Sequence, residues 1–443
     1  MTLSAVPLPL PPGTAGLPLV GETLRFLPDI FGFLEQRLHE HGPICRTNLL
    51  GKDVALLAGP EATALFYDPL LVQREGSFPG NVLQLFGGST ARILPVLDGP
   101  EHQLRKRLTL QAFDHQAIAS YLPVLQAAVD RAFDRWVGRG EFGWQEELKQ
   151  LAVEGVAACL LGLGPGPEVD RLAADYRIVT AGFAGLPIPL PGTAFSAGLK
   201  ARDRILSYYA EVTRERAARP TQDGLSRLLA ARGPAGEALE HGALALELHH
   251  VFLAGYIIFA AMEAIALALQ WQPGLRARLA AELRAVVPSG PLDPQLLRKL
   301  PLLLATAMEA KRVPAIVPIT FGRARRSFDF AGYRVPEGWL VFLAVTENNH
   351  DRGSFREPLA FDIDRFSEGR KEQDRPFAYV PQGAGPADGH KCLGADFSTV
   401  FLQTFTARLV RDHTHRIVEQ DLSLRRDVVP PEYKSGLRAQ VQR

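Results

Sequence analysis

"PQGAGPADGHKCLGADF", residues 381–397, holds four glycines, one histidine and one of the chain's three cysteines. A glycine-rich loop presenting one cysteine ahead of an apolar helical stretch is open to four chemistries: phosphate cradle, zinc site, reactive thiol or iron ligand. Gly383-Ala384-Gly385 followed by Gly389 is spaced G-x-G-x-x-x-G, one residue off the dinucleotide fingerprint. No Lys-Ser or Lys-Thr follows, so a P-loop fails as well. Zinc needs three or four ligands, and only His390 lies near Cys392 in sequence.

Iron–thiolate ligation fits better. Cys392 stands just before a helix predicted at 395–411, whose positive N-terminal end favours an anionic sulfur. Gly394 and the upstream glycines let backbone approach both the sulfur and a flat macrocycle. Heme held by a Cys thiolate is the arrangement that promotes O–O cleavage. On the loop alone, an inert buried cysteine, the commoner fate of a lone Cys, stands beside that reading.

Working outward, 443 residues with 47% hydrophobic content can bury a large core. The balance of 49 basic against 48 acidic residues lacks the basic excess of a nucleic-acid binder. The runs "RKR" (105–107) and "RARR" (323–326) read as solvated surface. Cys45, Cys159 and Cys392 are odd in number and far apart, against a disulfide framework or zinc cluster. The N-terminal stretch has no basic region and is broken by prolines, so neither a signal peptide nor a membrane anchor is expected. The longest apolar run, "VFLAGYIIFAAM" (251–262), is short for a span and reads as a core helix. A soluble, cytoplasmic protein is the expectation.

A helix is predicted at 29–41, then two strands joined at Gly51-Lys52 in "ICRTNLLGKDVALLAG". Beyond an irregular stretch near 79–98 the chain turns helical, with Pro/Gly breaks near 164–167, 186–192 and 219–224. No internal period points to a solenoid. The segment 243–271 is apolar nearly all round and belongs at the centre. From 318 to 345 the pattern is β-like, with turns at Gly332 and Glu337-Gly338. The fold class is mainly α with a small β region assembled from both ends of the chain.

Further motifs resemble the cytochrome P-450 superfamily. Glu309-Ala310-Lys311-Arg312 is similar to its Glu-x-x-Arg helix, and "FDIDRF" (361–366) to its Phe-x-Pro-x-Arg-Phe segment, with Ile363 replacing proline. The resemblance implies one domain over 1–443, with heme b between a long central helix and the Cys loop. Its β-rich part would take 43–58, 318–345 and the C-terminal segment; its helical part would take 60–315 and 395–411. It implies Cys392 as iron ligand and catalytic center, and Glu309, Arg312 and Arg365 as a buried charge network bracing the heme loop. His390, and the pair His102 and Lys106 in "HQLRKRL", match positions that contact heme propionates. Without the family context, that pair is an ordinary solvated helix face, and Glu309 with Arg312 an ordinary i,i+3 pair.

The loop departs from the commonest family pattern. Three extra residues separate its first glycine from the cysteine, and Gln382 replaces a phenylalanine. In this it resembles the bacterial peroxide-using fatty-acid hydroxylases and decarboxylases, as do "LLGKDV", "ALFYD", "LFG", Lys106, "NNHD" and "KSGL". The N-terminal "PPGTAGLPLVGETL" instead resembles oxygen-using members acting on retinoids and sterols. Neither branch's distal chemistry is present in "LHHVFLAGYIIFAAMEA" (248–264). Ile257 and Ile258 stand where oxygen-using members carry an acid and an alcohol; a one-residue shift puts Tyr256 and Ile257 there. Leu253 and Ala254 stand where peroxide-using members carry Arg-Pro. Ile257 and Ile258 read equally well as core packing.

A positioned acid–base group is worth about 10²–10⁴ in rate. Its loss calls for ordered water, for a substrate carboxylate held elsewhere (Arg92 is the candidate), or for a reaction without a proton relay. Gln84 matches a distal-pocket glutamine, or packs a turn. The resemblance therefore implies a heme-thiolate oxidoreductase, of monooxygenase or peroxygenase type, acting on a lipophilic small molecule such as a fatty acid, terpenoid or polyketide. A separate ferredoxin/reductase would serve it if dioxygen is the oxidant. A heme-dependent isomerase or dehydratase of a peroxide-bearing substrate, and a non-catalytic heme-binding carrier or sensor, are the alternatives.

Overall fold

The computed structural model describes residues 8–314 and 316–443; the first seven residues of the proline-broken N-terminal stretch lie outside them. Strands from the predicted β-rich stretches pair, together with the unpredicted edge strand Val72–Gln73, into a five-stranded sheet in the order Ile44–Leu49, Lys52–Leu57, Leu340–Ala344, Ile319–Ala324, Val72–Gln73. It joins chain segments almost 300 residues apart. Lys52–Leu57 and Leu340–Ala344 run parallel, with Val54 opposite Leu340. The first hairpin turns on Leu50-Gly51, not Gly51-Lys52, because Leu49 pairs with Lys52. Both turn residues have positive φ, 51° and 76°, the conformation that a two-residue hairpin needs and that glycine supplies without strain.

Helices dominate from Gly99 to Arg312, and the chain leaves them close to the expected Pro/Gly breaks. The stretch 79–98 is not irregular throughout. Gly80–Phe86 is a helix of under two turns and Leu94–Val96 a 3₁₀ turn, too short to impose a readable periodicity. Ala395–Arg411 forms the helix after the Cys loop. The main core lies between the Trp144–Leu161, Phe259–Trp271 and Ala395–Arg411 helices, with Trp136, Trp144 and Phe405 fully buried. Cys45 and Cys159 are buried free thiols.

The central apolar segment is two helices, His241–Tyr256 and Phe259–Trp271. Together they are long and apolar enough to cross a bilayer, yet most of their most apolar window is buried in the fold. Length alone would not have separated a span from a core helix here. At the junction, Ile258 N–H donates to Gly255 O (3.3 Å), Ala260 to Ile257 (3.3 Å) and Ala261 to Ile258 (3.0 Å). These i→i+3 bonds tighten the turn and interrupt the α-helical ladder. Gly255 is needed by packing, since a Cβ there would lie 2.5 Å from Val156 Cγ2.

Candidate active site

Two adjoining cavities occupy the space between the Cys loop and the His241–Tyr256 helix. The smaller, about 350 Å³, is lined on one side by Cys392, Phe397 and Phe401 and on the other by Val251, Ala254 and Ile258. The larger, about 790 Å³, runs from Ala254 and Ile257 out to Leu50 and Lys52. His250, Ala254 and Ile257 line both.

Cys392 has accessible surface although protein atoms crowd it on every side, because it faces the cavity and not bulk water. Its N–H donates to Gln382 O (2.8 Å), closing the loop. Burial pushes the thiol pKa up, against the pull of the Gly394 N–H and of Lys106 and Lys311. Such a sulfur needs a bound cation to become a stable thiolate.

The rim of the smaller cavity is cationic. His102 and Lys106, one turn apart on the Gly99–Leu110 helix, are buried and line it with His390 and Arg74. The rings of His102 and His390 lie 4.1 Å apart, and Lys106 Nζ donates to Lys391 O. Burial lowers the His102 pKa to about 4, with His390 and Lys106 adding to the shift. Burial also lowers that of His390, despite its contact with Asp98 at 3.6 Å. Arg74 is buried over the Phe66 ring, and its pKa, lowered by burial to about 10, leaves it charged at neutral pH. Imidazoles held neutral beside two fixed cations make an anion-shaped rim. One thiol facing an apolar slot with that rim suits an iron porphyrin with two carboxylates.

The opposite wall follows helical spacing: Val251, Ala254, Gly255 and Ile258 face the smaller cavity at i, i+3, i+4 and i+7. None carries an acid, an alcohol or a guanidinium. Tyr256 lines neither cavity and is buried, so the shifted register brings no polar group to the site. Leu253 and Gln84 reach only the larger cavity. Arg92 does not serve as a carboxylate anchor. It lines neither cavity and is half-exposed, tied to Glu101 and Glu75 at the surface. The polar side chain this helix does bring to the cavities is His250. Its Nδ1 lies 3.2 Å from Glu247 Oε2. Glu247, buried, accepts from Leu94 N–H (2.8 Å) and meets Arg105 Nη1 at 3.3 Å.

Behind the loop, Glu309 takes Arg312 Nε (2.8 Å) and Nη2 (2.7 Å), Arg365 Nε (2.8 Å) and Asp362 N–H (3.0 Å), with all three charged side chains fully buried. Beside Ile363, which stands at the usual proline position, Asp362 Oδ1 accepts Asp364 N–H at 3.0 Å and caps the turn. Arg312 also donates to Asn349 O (2.8 Å). Asn349 Oδ1 in turn accepts Val380 N–H (3.0 Å), and Asn348 Nδ2 donates to Ala378 O (2.9 Å). The "NNHD" segment thus ties the Glu309–Arg312 helix to the strand of chain that enters the Cys loop.

The cytochrome P-450 family model matches residues 11–430. The chain belongs to the cytochrome P-450 family. This cytochrome P-450 is 29% identical to cytochrome P-450 120 of Synechocystis sp., covering 91% of this chain and 90% of that one. It is 27% identical to the abscisic acid 8′-hydroxylase CYP707A1 of Solanum lycopersicum, over 92% and 86% of the two chains. Among solved structures, retinoic acid-bound cyanobacterial CYP120A1 superposes with a TM-score of 0.90 at 28% identity, covering 99% and 100%. Cytochrome P450EX alpha (CYP152N1) with myristic acid superposes at 0.81 and 24% identity, over 97% and 98%, a likeness of fold. The family's cofactor is heme b and its members are heme-thiolate oxidoreductases.

Three polar residues of this cytochrome P-450 site escape a reading of motifs. Arg74 is a lone arginine after a short edge strand; His250 is one of two adjacent histidines on an apolar helix; Lys311 sits inside the Glu-x-x-Arg motif as an unspecified residue. Only Lys311 carried a usable signal, a lysine on a turn otherwise committed to burial.

Proposed function

We propose that this cytochrome P-450 hydroxylates a lipophilic carboxylic acid, with Cys392 as the proximal iron ligand. One observation carries the substrate class: the larger cavity is mainly apolar and, among the described residues, has Lys52, exposed, as its only permanently charged lining residue. An acid entering apolar end first would leave its carboxylate at Lys52 and bring a distant carbon to the distal wall. The relatives named for abscisic acid and retinoic acid support that class.

Bound heme b supplies O–O cleavage and the oxidising equivalent. His102, Lys106, His390 and Arg74 would hold its propionates, and the Glu309–Arg312–Arg365 network would brace the loop that carries Cys392. Ala254, Ile257 and Ile258 would exclude bulk water from the oxidised carbon. His250, its Nδ1–H donating to Glu247, would present Nε2 to the cavity as the atom that accepts and passes on a proton. Glu247, Arg105 and Glu101 link that pair to the surface (3.3 Å and 3.4 Å). The oxidant in this reading is dioxygen, with electrons from a separate ferredoxin and reductase. Peroxide is the second reading, favoured by the long Cys loop and by Gln382.

Spectral titration with retinoic, abscisic and myristic acids against their methyl esters tests the substrate class. The acids should give type I shifts, and Lys52→Ala should weaken them up to about fivefold, the worth of an exposed ion pair. Esters binding as tightly as acids, unaffected by Lys52→Ala, would refute the carboxylate reading. Product formation with a surrogate reductase system, compared with hydrogen peroxide, separates the two oxidants. In the productive system His250→Phe should cut turnover about 10²–10⁴-fold.

A further inference from the structure

Gln382 differs from the phenylalanine usual at its place in the loop, and its side chain lies beside the Cys392 sulfur. Nε2 is 3.9 Å from Cys392 Sγ and 3.0 Å from Ser398 Oγ. Oε1 is 2.9 Å from Lys311 Nζ. Lys311 is itself buried and held by a second bond, to Thr399 Oγ1 at 2.8 Å. Ser398 spends its own proton on Ala395 O (2.8 Å), which leaves its oxygen free to accept from Gln382.

The two ends of an amide differ in chemistry, and Lys311 decides between them. An ammonium group only donates, so the amide oxygen must face it. The NH₂ end then has two hydrogens, one for Ser398 and one aimed at the sulfur. Flipping the amide would set N–H against NH₃⁺ and oxygen against an anionic sulfur, two repulsive contacts in place of two attractive ones. Lys311 comes from the helix that Glu309 and Arg312 lock from its other side, so the ammonium cannot drift far from its partner.

We propose that Lys311 is a positioning residue that sets the heme reduction potential through Gln382. It orients the amide so that an N–H donates to the Cys392 thiolate and withdraws electron density from it. The inference rests on Cys392 being the proximal ligand. Hydrogen bonds to a ligating sulfur are among the ways a protein tunes a heme or cluster potential. Less electron donation to the iron favours the one-electron-reduced form, the electron coming from the external reductase. Placing phenylalanine at 382 removes the donor. Replacing Lys311 by methionine frees the amide to rotate.

The test uses the heme-loaded protein and measures two quantities, the ferric/ferrous midpoint potential and the Soret position of the CO-bound reduced form. Lys311→Met and Gln382→Phe should each make the potential more negative, by about a tenfold change in the reduction equilibrium, ~59 mV for one electron. Each should also move the CO band from its wild-type position. Lys311→Met/Gln382→Phe should fall no further than Gln382→Phe alone, because Lys311 acts through the amide. Gln382→Leu serves if the larger ring prevents heme loading. Unchanged potentials and bands in the single variants overturn the proposal, and so does full additivity in the double variant, which would mean that Lys311 acts only through space. A wild-type protein lacking the shifted CO band would instead refute Cys392 as the ligand.

Discussion

Glu309 faces two guanidinium groups with no solvent to screen them, so its charge cannot be removed alone. Glu309→Gln keeps the shape but leaves Arg312 and Arg365 with one anion fewer. Breaking a buried pair in this way costs about 3–5 kcal/mol. Urea unfolding of heme-loaded protein should show that loss, together with reduced heme retention. A cost under 1 kcal/mol would mean that Glu372, 2.6 Å from Arg365, carries the compensation. Glu309 and Arg312 could be recognised in sequence because both partners lie on one helical turn. Arg74 could not, because its importance comes from Asp98, Phe66 and the cavity rim, none of which is near it on a regular element.

At the scale of the element, the distal helix break decides what the site can do. It falls at Ile257-Ile258, where the ladder changes to i→i+3 bonds beside the cavity. Gly255 lets the Trp144–Leu161 helix approach, since a Cβ would press on Val156 Cγ2. Gly255→Ala should therefore destabilise by about 1–3 kcal/mol through overpacking. In a Val156→Ala background the clash is gone, and the same change should stabilise by up to about 1 kcal/mol from helix propensity. Thermal melts of the four proteins check this, and a loss of equal size in both backgrounds would exclude the contact with Val156 as the cause. The helix was readable in sequence as apolar all round. The break was not, because no proline or polar residue marks it.

For the whole molecule, buried titratable groups set a stability window. His249 is fully buried between Leu85 O (2.9 Å) and Tyr176 Oη (3.2 Å), and burial lowers its pKa to about 4. A lowered pKa means stability that is complete above about 6.5 and lost as pH falls through about 4, roughly 3 kcal/mol over that window. Glu263 has the opposite sign. Burial raises its pKa well above the carboxylate range, only partly opposed by Lys149, so stability is complete below about 4.5 and declines as pH rises. His249→Gln should flatten the acid limb without removing it, because His415 is also lowered to about 4 by burial. Glu263→Gln should raise stability at pH 8 and change little at pH 4.5. Chemical denaturation across pH 4–8 measures both, and coincident pH profiles for wild type and variants would show that neither group is linked to folding.

Sequence alone determined the Cys392 loop, the Glu309–Arg312 pair and the alternation of helical and β-rich segments. Each is written in residues close along the chain, so spacing and periodicity carry it. Tertiary structure decided the rest: Arg74 joining the cationic rim, Arg92 remaining at the surface, His250 meeting both cavities, and Lys311 turning the Gln382 amide toward sulfur. These depend on which side chains from distant segments end up within 3–4 Å of one another, and only packing of the complete chain sets those distances.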